Sequence, residues 1–248
     1  MSAGKHVDIV DILEDHAWRL FEDLQSVPIT RNEDFRKLKR EDVEFEVITK
    51  KLQIVNEDPV YEQLNLKSSE PCILFKSAFT NNTDHPQEYS FKTERKTESV
   101  CLVCKEQGYS IGRDTELSLK IPSEIFEMKT GFKRELNFNH INENSISELL
   151  TWGVDSKIVV PANSRIDASI VIDEVNYRGS YVLSVTTNII DVFKMLVQTG
   201  HVTKDVKAMV TVEPNAVKLV SKGICAFQFA SEQKIDLIKV PMPIGAIE

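Results

Sequence analysis

"KIVVPANSRIDASIVI", residues 157–172, decides how the rest of the chain is read. Its first part, Lys157-Ile158-Val159-Val160, runs into Pro161, which has no N–H to give to a β ladder. Its second part alternates: Ile166, Ala168, Ile170 and Ile172 are apolar, while Arg165, Asp167, Ser169 and Asp173 are not. A period of two belongs to a strand with one buried face. The stretch reads as the end of one strand, a break at Pro161-Ala162-Asn163-Ser164, and a second strand that begins in a new register.

The same beat recurs on both sides. Val43, Phe45 and Val47 alternate with Glu44 and Glu46, and residues 72–79 are a second strand candidate. Residues 80–97 are strand-forming by type but hardly hydrophobic, so they are expected to form an exposed, twisted strand after a turn at 81–86. Residues 154–186 are expected to hold two or three strands, with a turn at Asn176-Tyr177-Arg178-Gly179. Beyond 187, residues 188–197 fit a strand or a short helix, 207–212 and 224–229 fit strands, and Pro241 and Pro243 mark an edge or loop. The period differs only near the start. Apolar residues between 7 and 24 form a helical stripe with acidic residues opposite, closed by Pro28, and the charged residues 31–42 allow a second short helix.

Residues 109–139 are a candidate long hairpin with arms of about ten residues. Ile111, Leu117, Leu119 and Ile121 share one parity on the outward arm, and Phe132, Leu136 and Phe138 share one on the return. Residues 122–131 lie between as the tip, with Ile125, Phe126 and Met128 its apolar members. About ten residues is also what a tilted strand needs to cross a bilayer.

Composition narrows the function classes. The 248 residues are 42% apolar and 27% charged, ordinary for a globular protein. A net charge of −8 argues against nucleic acid as partner, and the short basic run Lys37-Leu38-Lys39-Arg40 leads straight into Glu41 and Asp42. No run of about 18 apolar residues signals a transmembrane helix. No signal-peptide core follows Met1, so a cytoplasmic or non-classically released protein is expected, or a secreted one if a leader has been removed. Cys101 and Cys104 have the spacing of half a zinc or redox site. They sit in an apparent strand, where residues three apart face opposite sides, so they and Cys72 and Cys225 are expected to be structural thiols. The histidines at 6, 16, 85, 140 and 201 have no ligand spacing. With no phosphate loop or nucleophile elbow, no catalytic residue, metal or cofactor is assigned, and an enzyme is not expected.

Three pieces carry a resemblance: "FTNNTDHPQEYSF" at 79–91, the amphipathic hairpin at 109–139, and "VPANSRIDASIVI" at 160–172 with "VNYRGSY" at 175–181. Their order and spacing, over roughly residues 72–187, resemble the aerolysin-like pore-forming proteins, in particular the clostridial epsilon-toxin and mosquitocidal-toxin branch. The resemblance implies a mainly β, elongated fold of long twisted antiparallel strands with a short helical N-terminal segment. It divides the chain into an N-terminal segment (1–70) for packing or binding, a pore-forming-like region (71–187) and a C-terminal β region (188–248). It also implies a toxin-like protein that binds a target membrane through a lipid, glycan or protein receptor, assembles as a homo-oligomer, and inserts a hairpin, the tongue, from each subunit. In such a barrel Ile111, Leu117, Leu119, Ile121, Phe132, Leu136 and Phe138 would face lipid. Glu116, Ser118, Lys120, Lys133, Glu135 and Asn137 would line the lumen. Arg113 and Arg134 share the lipid-facing parity, where an arginine near the midplane costs about 2–4 kcal/mol. That feature favours the alternative, a non-lytic membrane- or glycan-binding regulatory protein on the same scaffold. A simple test of the hairpin is whether Leu119 faces Phe132 across it.

Overall fold

Alternation sustained over more than twenty residues at a time produces strands of unusual length. The structure, a computed structural model, describes residues 5–27, 33–111, 117–138, 145–198 and 204–241. Strand β1 (Lys5–Asp8) leads into α1 (Ile9–Ser26), and α2 (Glu33–Lys37) follows. Then come β2 (Ile54–Asn56), β3 (Val60–Asn81) and β4 (Gln87–Ser110). The hairpin region holds β5 (Leu117–Lys120), α3 (Ser123–Glu127) and β6 (Glu135–Phe138). The chain continues with β7 (Ser145–Val160), β8 (Ser164–Thr187), α4 (Ile190–Gln198), α5 (Lys204–Met209), β9 (Val210–Val212) and β10 (Val217–Pro241). At about 3.3 Å per residue, β8 alone spans roughly 80 Å.

β8 is the axis of the main sheet. It pairs antiparallel along its whole length with β10, from Thr187↔Val217 to Ser164↔Pro241, and on its other edge with β3. β4 changes partner along its course. Its first part pairs with β7, from Gln87↔Val160 to Leu102↔Ser145, and its second with β10, from Val100↔Gln228 to Gln107↔Lys222. The sheet therefore forks, and beyond the fork the β4–β7 ribbon lies over the three strands β3, β8 and β10. The apolar positions of the period-two pattern meet between these layers: Phe91, Val154, Ile158 and Val160 from the ribbon, Ala168 and Ile170 from β8.

The break at Pro161 is the crossing from ribbon to main sheet. β7 ends at Val160 and β8 begins at Ser164, with Asn163 turned to φ +48° between them. Asn tolerates that left-handed conformation better than most residues. The crossing is tied to the turn between β3 and β4. The buried Asn81 amide donates to the carbonyls of His85, Val160 and Pro161 at 2.8–3.0 Å and accepts from the Thr83 N–H at 2.9 Å. Asn163 N–H completes the joint by donating to the Thr83 carbonyl at 3.1 Å.

At the other end, β1 adds to β4 as a parallel strand, and Asp8 caps α1 by accepting from the Val10 N–H at 2.8 Å. α1 buries only Ile9, which joins Tyr109, Val185, Phe193, Val217 and Leu219 in a separate core. Trp18 and Phe21 of α1 meet Phe35 and Phe45 in an aromatic cluster.

Several elements differ from the sequence reading. The alternating residues 43–47 form no strand; Val43 and Phe45 are half-buried in an irregular segment, Phe45 beneath the Arg40 guanidinium. There is no turn at 176–179, because β8 runs straight through it. Gly179 is there for a close approach: a Cβ on it would lie 2.8 Å from the Leu64 Cα, where β3 bulges between Glu62 and Asn65. Residues 204–209 are helical, and only Val210–Val212 of the expected strand is extended. Of the two forms open for residues 188–197, the helix is the one found, over Ile190–Gln198. β3 begins at Val60, so the main sheet runs across residue 70.

Candidate functional site: the docked hairpin

Within the described residues 117–138, the hairpin holds two short strands and a helix that its alternation does not predict. β5 and β6 are four residues each, and the intended tip folds back as α3. The register is Leu117↔Phe138, Ser118↔Asn137, Leu119↔Leu136 and Lys120↔Glu135, so Leu119 faces Leu136 rather than Phe132. The Ile121 N–H extends the ladder by donating to the Arg134 carbonyl at 2.9 Å.

Parity sorts the expected site residues into two groups. Leu119, Ile121, Phe132, Leu136 and Phe138 are all buried, and so is Ile125 of the expected tip. Lys120, Lys133, Glu135 and Asn137 are exposed and Ser118 is half-buried. Phe126 and Met128 stay exposed, so only part of the tip projects. Ile111 lies apart, half-buried against the Tyr109 and Phe193 core. Glu116, Arg113 and the side chain of Leu117 fall outside the described residues. Arg134 has the parity of the buried set yet is exposed, between the buried Phe132 and Leu136.

What buries this face is the main sheet. Cys101 and Val103 of β4, Val175, Tyr181 and Leu183 of β8, and Cys225, Phe227 and Phe229 of β10 form one cluster with the hairpin. Phe132 stands edge-on to both Phe227 and Phe229, with centroids 6.1 and 6.2 Å away. Each fully buried side chain of this kind contributes about 1.5–3 kcal/mol, so the six residues of the hairpin face contribute at most about 9–18 kcal/mol.

Polar ties surround the apolar face. The Tyr61 hydroxyl donates to the Lys120 carbonyl at 2.5 Å, Lys120 pairs with Asp58, and the Ser99 hydroxyl donates to the Thr130 carbonyl. Lys133 reaches Glu148 at 3.0 Å. The lysines of both charged pairs are exposed, and each pair contributes little. Between the hairpin and β3 lies a cleft of about 660 Å³, lined by Asp58, Tyr61, Lys120, Ile121, Arg134 and Tyr177. Burial pushes the Cys225 thiol up to about 11 and the Cys101 thiol and the Tyr61 and Tyr181 hydroxyls further up. Such groups are uncharged spacers at neutral pH, unsuited to acid–base work. Among the described residues no group of three or more His, Cys, Asp or Glu gathers to hold a metal ion, and no helix is long and apolar enough to cross a membrane. Cys101 and Cys104 of the CxxC spacing face opposite sides of β4, one buried and one exposed.

The receiving side of this site, Tyr61, Tyr181, Phe227 and Phe229, was not singled out from sequence. Phe227 and Phe229 had only their alternation to mark them. Nothing local signals that β10 passes under residues a hundred positions earlier.

The sequence that builds this forked sheet and hairpin matches a known family. The profile described as Clostridium epsilon toxin ETX/Bacillus mosquitocidal toxin MTX2 matches residues 44–215. The chain belongs to that family. Comparison with curated proteins finds no match. Among solved structures, the chain is similar to a non-toxic crystal protein from Bacillus thuringiensis, with 15% identity over 79% of this chain and 85% of that one and a TM-score of 0.56. It is similar to the Mpp75Aa1.1 beta-pore-forming protein from Brevibacillus laterosporus, with 15% identity over 96% of both chains and a TM-score of 0.53. At these identities the likeness is one of fold. The fold is aerolysin-like, mainly β, and the epsilon-toxin/mosquitocidal-toxin family is one of pore-forming toxins rather than enzymes.

Proposed function

We propose that the chain is a β-pore-forming protein whose tongue, the hairpin of about residues 109–139, is released at a target membrane from the sheet that buries its described apolar face. The observation that carries this reading is the sorting by parity: the hairpin hides one apolar face on the sheet and keeps a polar face in water. The same two faces serve a barrel wall, one toward lipid and one toward a water-filled lumen. A lone hairpin has unpaired edges, and only a closed ring of hairpins satisfies every backbone N–H and C=O in lipid, so the active form is a homo-oligomer. Release requires α3 to unwind and β5 and β6 to lengthen into arms of about ten residues. The target membrane is reached through a lipid, glycan or protein receptor, and the protein acts at that surface wherever it is made.

A second, non-lytic reading is favoured by Arg134. In an extended arm it faces the same way as Phe132 and Leu136, and its cost in lipid repeats in every subunit. A membrane- or glycan-binding protein on this scaffold needs no such insertion. Dye release from cell ghosts at neutral and mildly acidic pH separates the two. Saturable, size-limited leakage is expected from the pore-forming reading. Tight binding without leakage would replace it with the non-lytic one.

A further inference from the structure

The hairpin covers two of the four cysteines. Cys101 and Cys225 are buried on the face of β4 and β10 that receives the hairpin, in one cluster with Leu119, Phe132, Leu136 and Phe138. Cys225 lies opposite Val103 and Cys101 opposite Phe227, so the two thiols are diagonal neighbours on one face. The Tyr61 ring, 6.1 Å from that of Phe227, closes over them, and its hydroxyl is bonded to the hairpin carbonyl of Lys120. Cys104, two residues from Leu102 and with it on the opposite face of β4, is exposed. The chain thus carries covered and open thiols on the same strand.

We propose that Cys101 and Cys225 form a covered thiol site that exchanges with a small disulfide such as oxidised glutathione only when the hairpin has left the sheet, and that the mixed disulfide then prevents its return. The opening step rests on the tongue-release reading above. In the exchange the cysteine loses its proton and the thiolate attacks one sulfur of the small disulfide. That S–S bond breaks, a protein–glutathione bond forms, and the second half leaves as a thiolate that takes up a proton. Diagonal neighbours on a sheet are about 7–8 Å apart, whereas a protein disulfide needs Cβ atoms about 3.5–4.5 Å apart. The two cysteines therefore do not resolve the adduct into a bond between themselves, and each adduct persists until an external thiol removes it. Cys101 is fully buried and Cys225 4% exposed, so a tripeptide on either sulfur occupies the space the hairpin needs.

The test uses the full chain and oxidised glutathione at pH 8, with adducts mapped to each cysteine by mass spectrometry. In buffer, Cys104 should be modified at least about 100-fold faster than Cys101 and Cys225. In urea below the global unfolding transition, both covered thiols should become modified. After the urea is removed, residues 117–138 of the modified protein should keep exchanging amide hydrogens rapidly, and reduction should restore their protection. The Cys101→Ala/Cys225→Ala variant should regain protection after the same treatment. Modification at the rate of Cys104 in buffer, modification only on global unfolding, or protection regained with the adduct in place would each overturn the proposal. A parallel arm with cell ghosts keeps the two readings apart. Absence of leakage while the thiols open in urea counts against pore formation alone. Leakage in the presence of the disulfide with both thiols unmodified counts against the thiol site alone.

Discussion

Phe132 of the hairpin and Phe227 of β10 meet edge to face, with ring centroids 6.1 Å apart and ring planes at 76°. The contact joins the segment expected to move to the strand expected to stay. Phe132→Ala removes it together with the contact to Phe229, and deleting a buried phenylalanine costs about 3–5 kcal/mol. The loss falls on docking, so amide exchange at 117–138 should accelerate strongly while β8 and β10 keep most of their protection. Equal acceleration across the whole sheet would mean that the hairpin does not open separately.

Asn81 ties the two turns at the forked end. In Asn81→Ala, the carbonyls of Val160 and Pro161 and the Thr83 N–H lose their partner, and each buried group left unsatisfied costs about 1–3 kcal/mol. A lower denaturant midpoint is expected, with the loss of protection centred on residues 81–87 and 160–164.

Gly179 allows β3 to bulge over β8. Gly179→Ala places a methyl 2.8 Å from the Leu64 Cα, and relieving such overpacking costs about 1–3 kcal/mol. The melting temperature should fall by about 2–4 °C per kcal/mol. An unchanged melting temperature would show that the bulge moves freely.

Alkali should loosen the molecule. The Cys225 thiol has a folded-state pKa of about 11, above its ordinary value of 9.0, and Cys101 is shifted the same way. Between those values the unfolded chain has lost the proton and the folded chain has not, so stability falls as pH rises. The contribution is complete below pH 9 and declines above it. Denaturant midpoints at pH 8 and 10 should therefore differ, and Cys101→Ala/Cys225→Ala should narrow the difference. Tyr61, Tyr109 and Tyr181, shifted upward by burial, act in the same direction, and Lys105, shifted downward by burial, acts against them.

Much of this architecture is legible because its governing signal is local. The period of two marks Ile166 to Ile172 and the face of Leu119, Leu136 and Phe138, and Pro161 marks the joint wherever the strand goes next. Signals with two physical meanings were misread. Gly179 sits in a strand because a neighbouring backbone comes close, whereas a Gly three residues after Asn176 in a polar stretch also fits a turn. Val43, Phe45 and Val47 alternate without pairing, since the aromatic cluster of α1 and α2 gives Phe45 its contacts. The α3 fold-back was invisible for a related reason: a segment that suits an extended arm also forms a short helix when the sheet buries Ile125. The dock itself is a long-range pairing, and a single sequence states no partner for Phe227.

The most direct test of tongue release is to tether the hairpin to the body. A Cβ built on Gly131 lies 3.3 Å from the Leu150 Cβ, close to the separation of a disulfide. Gly131→Cys with Leu150→Cys, in a Cys104→Ser background, joins the hairpin to β7 at a strain of about 1–2 kcal/mol for the positive φ at residue 131. In an extended arm these two positions would be roughly 60 Å apart, at about 3.3 Å per residue. The oxidised protein should bind cell ghosts without leakage, and reduction should bring size-limited dye release at the rate of the Cys104→Ser parent. Release by the oxidised protein as fast as by the reduced one would contradict the account.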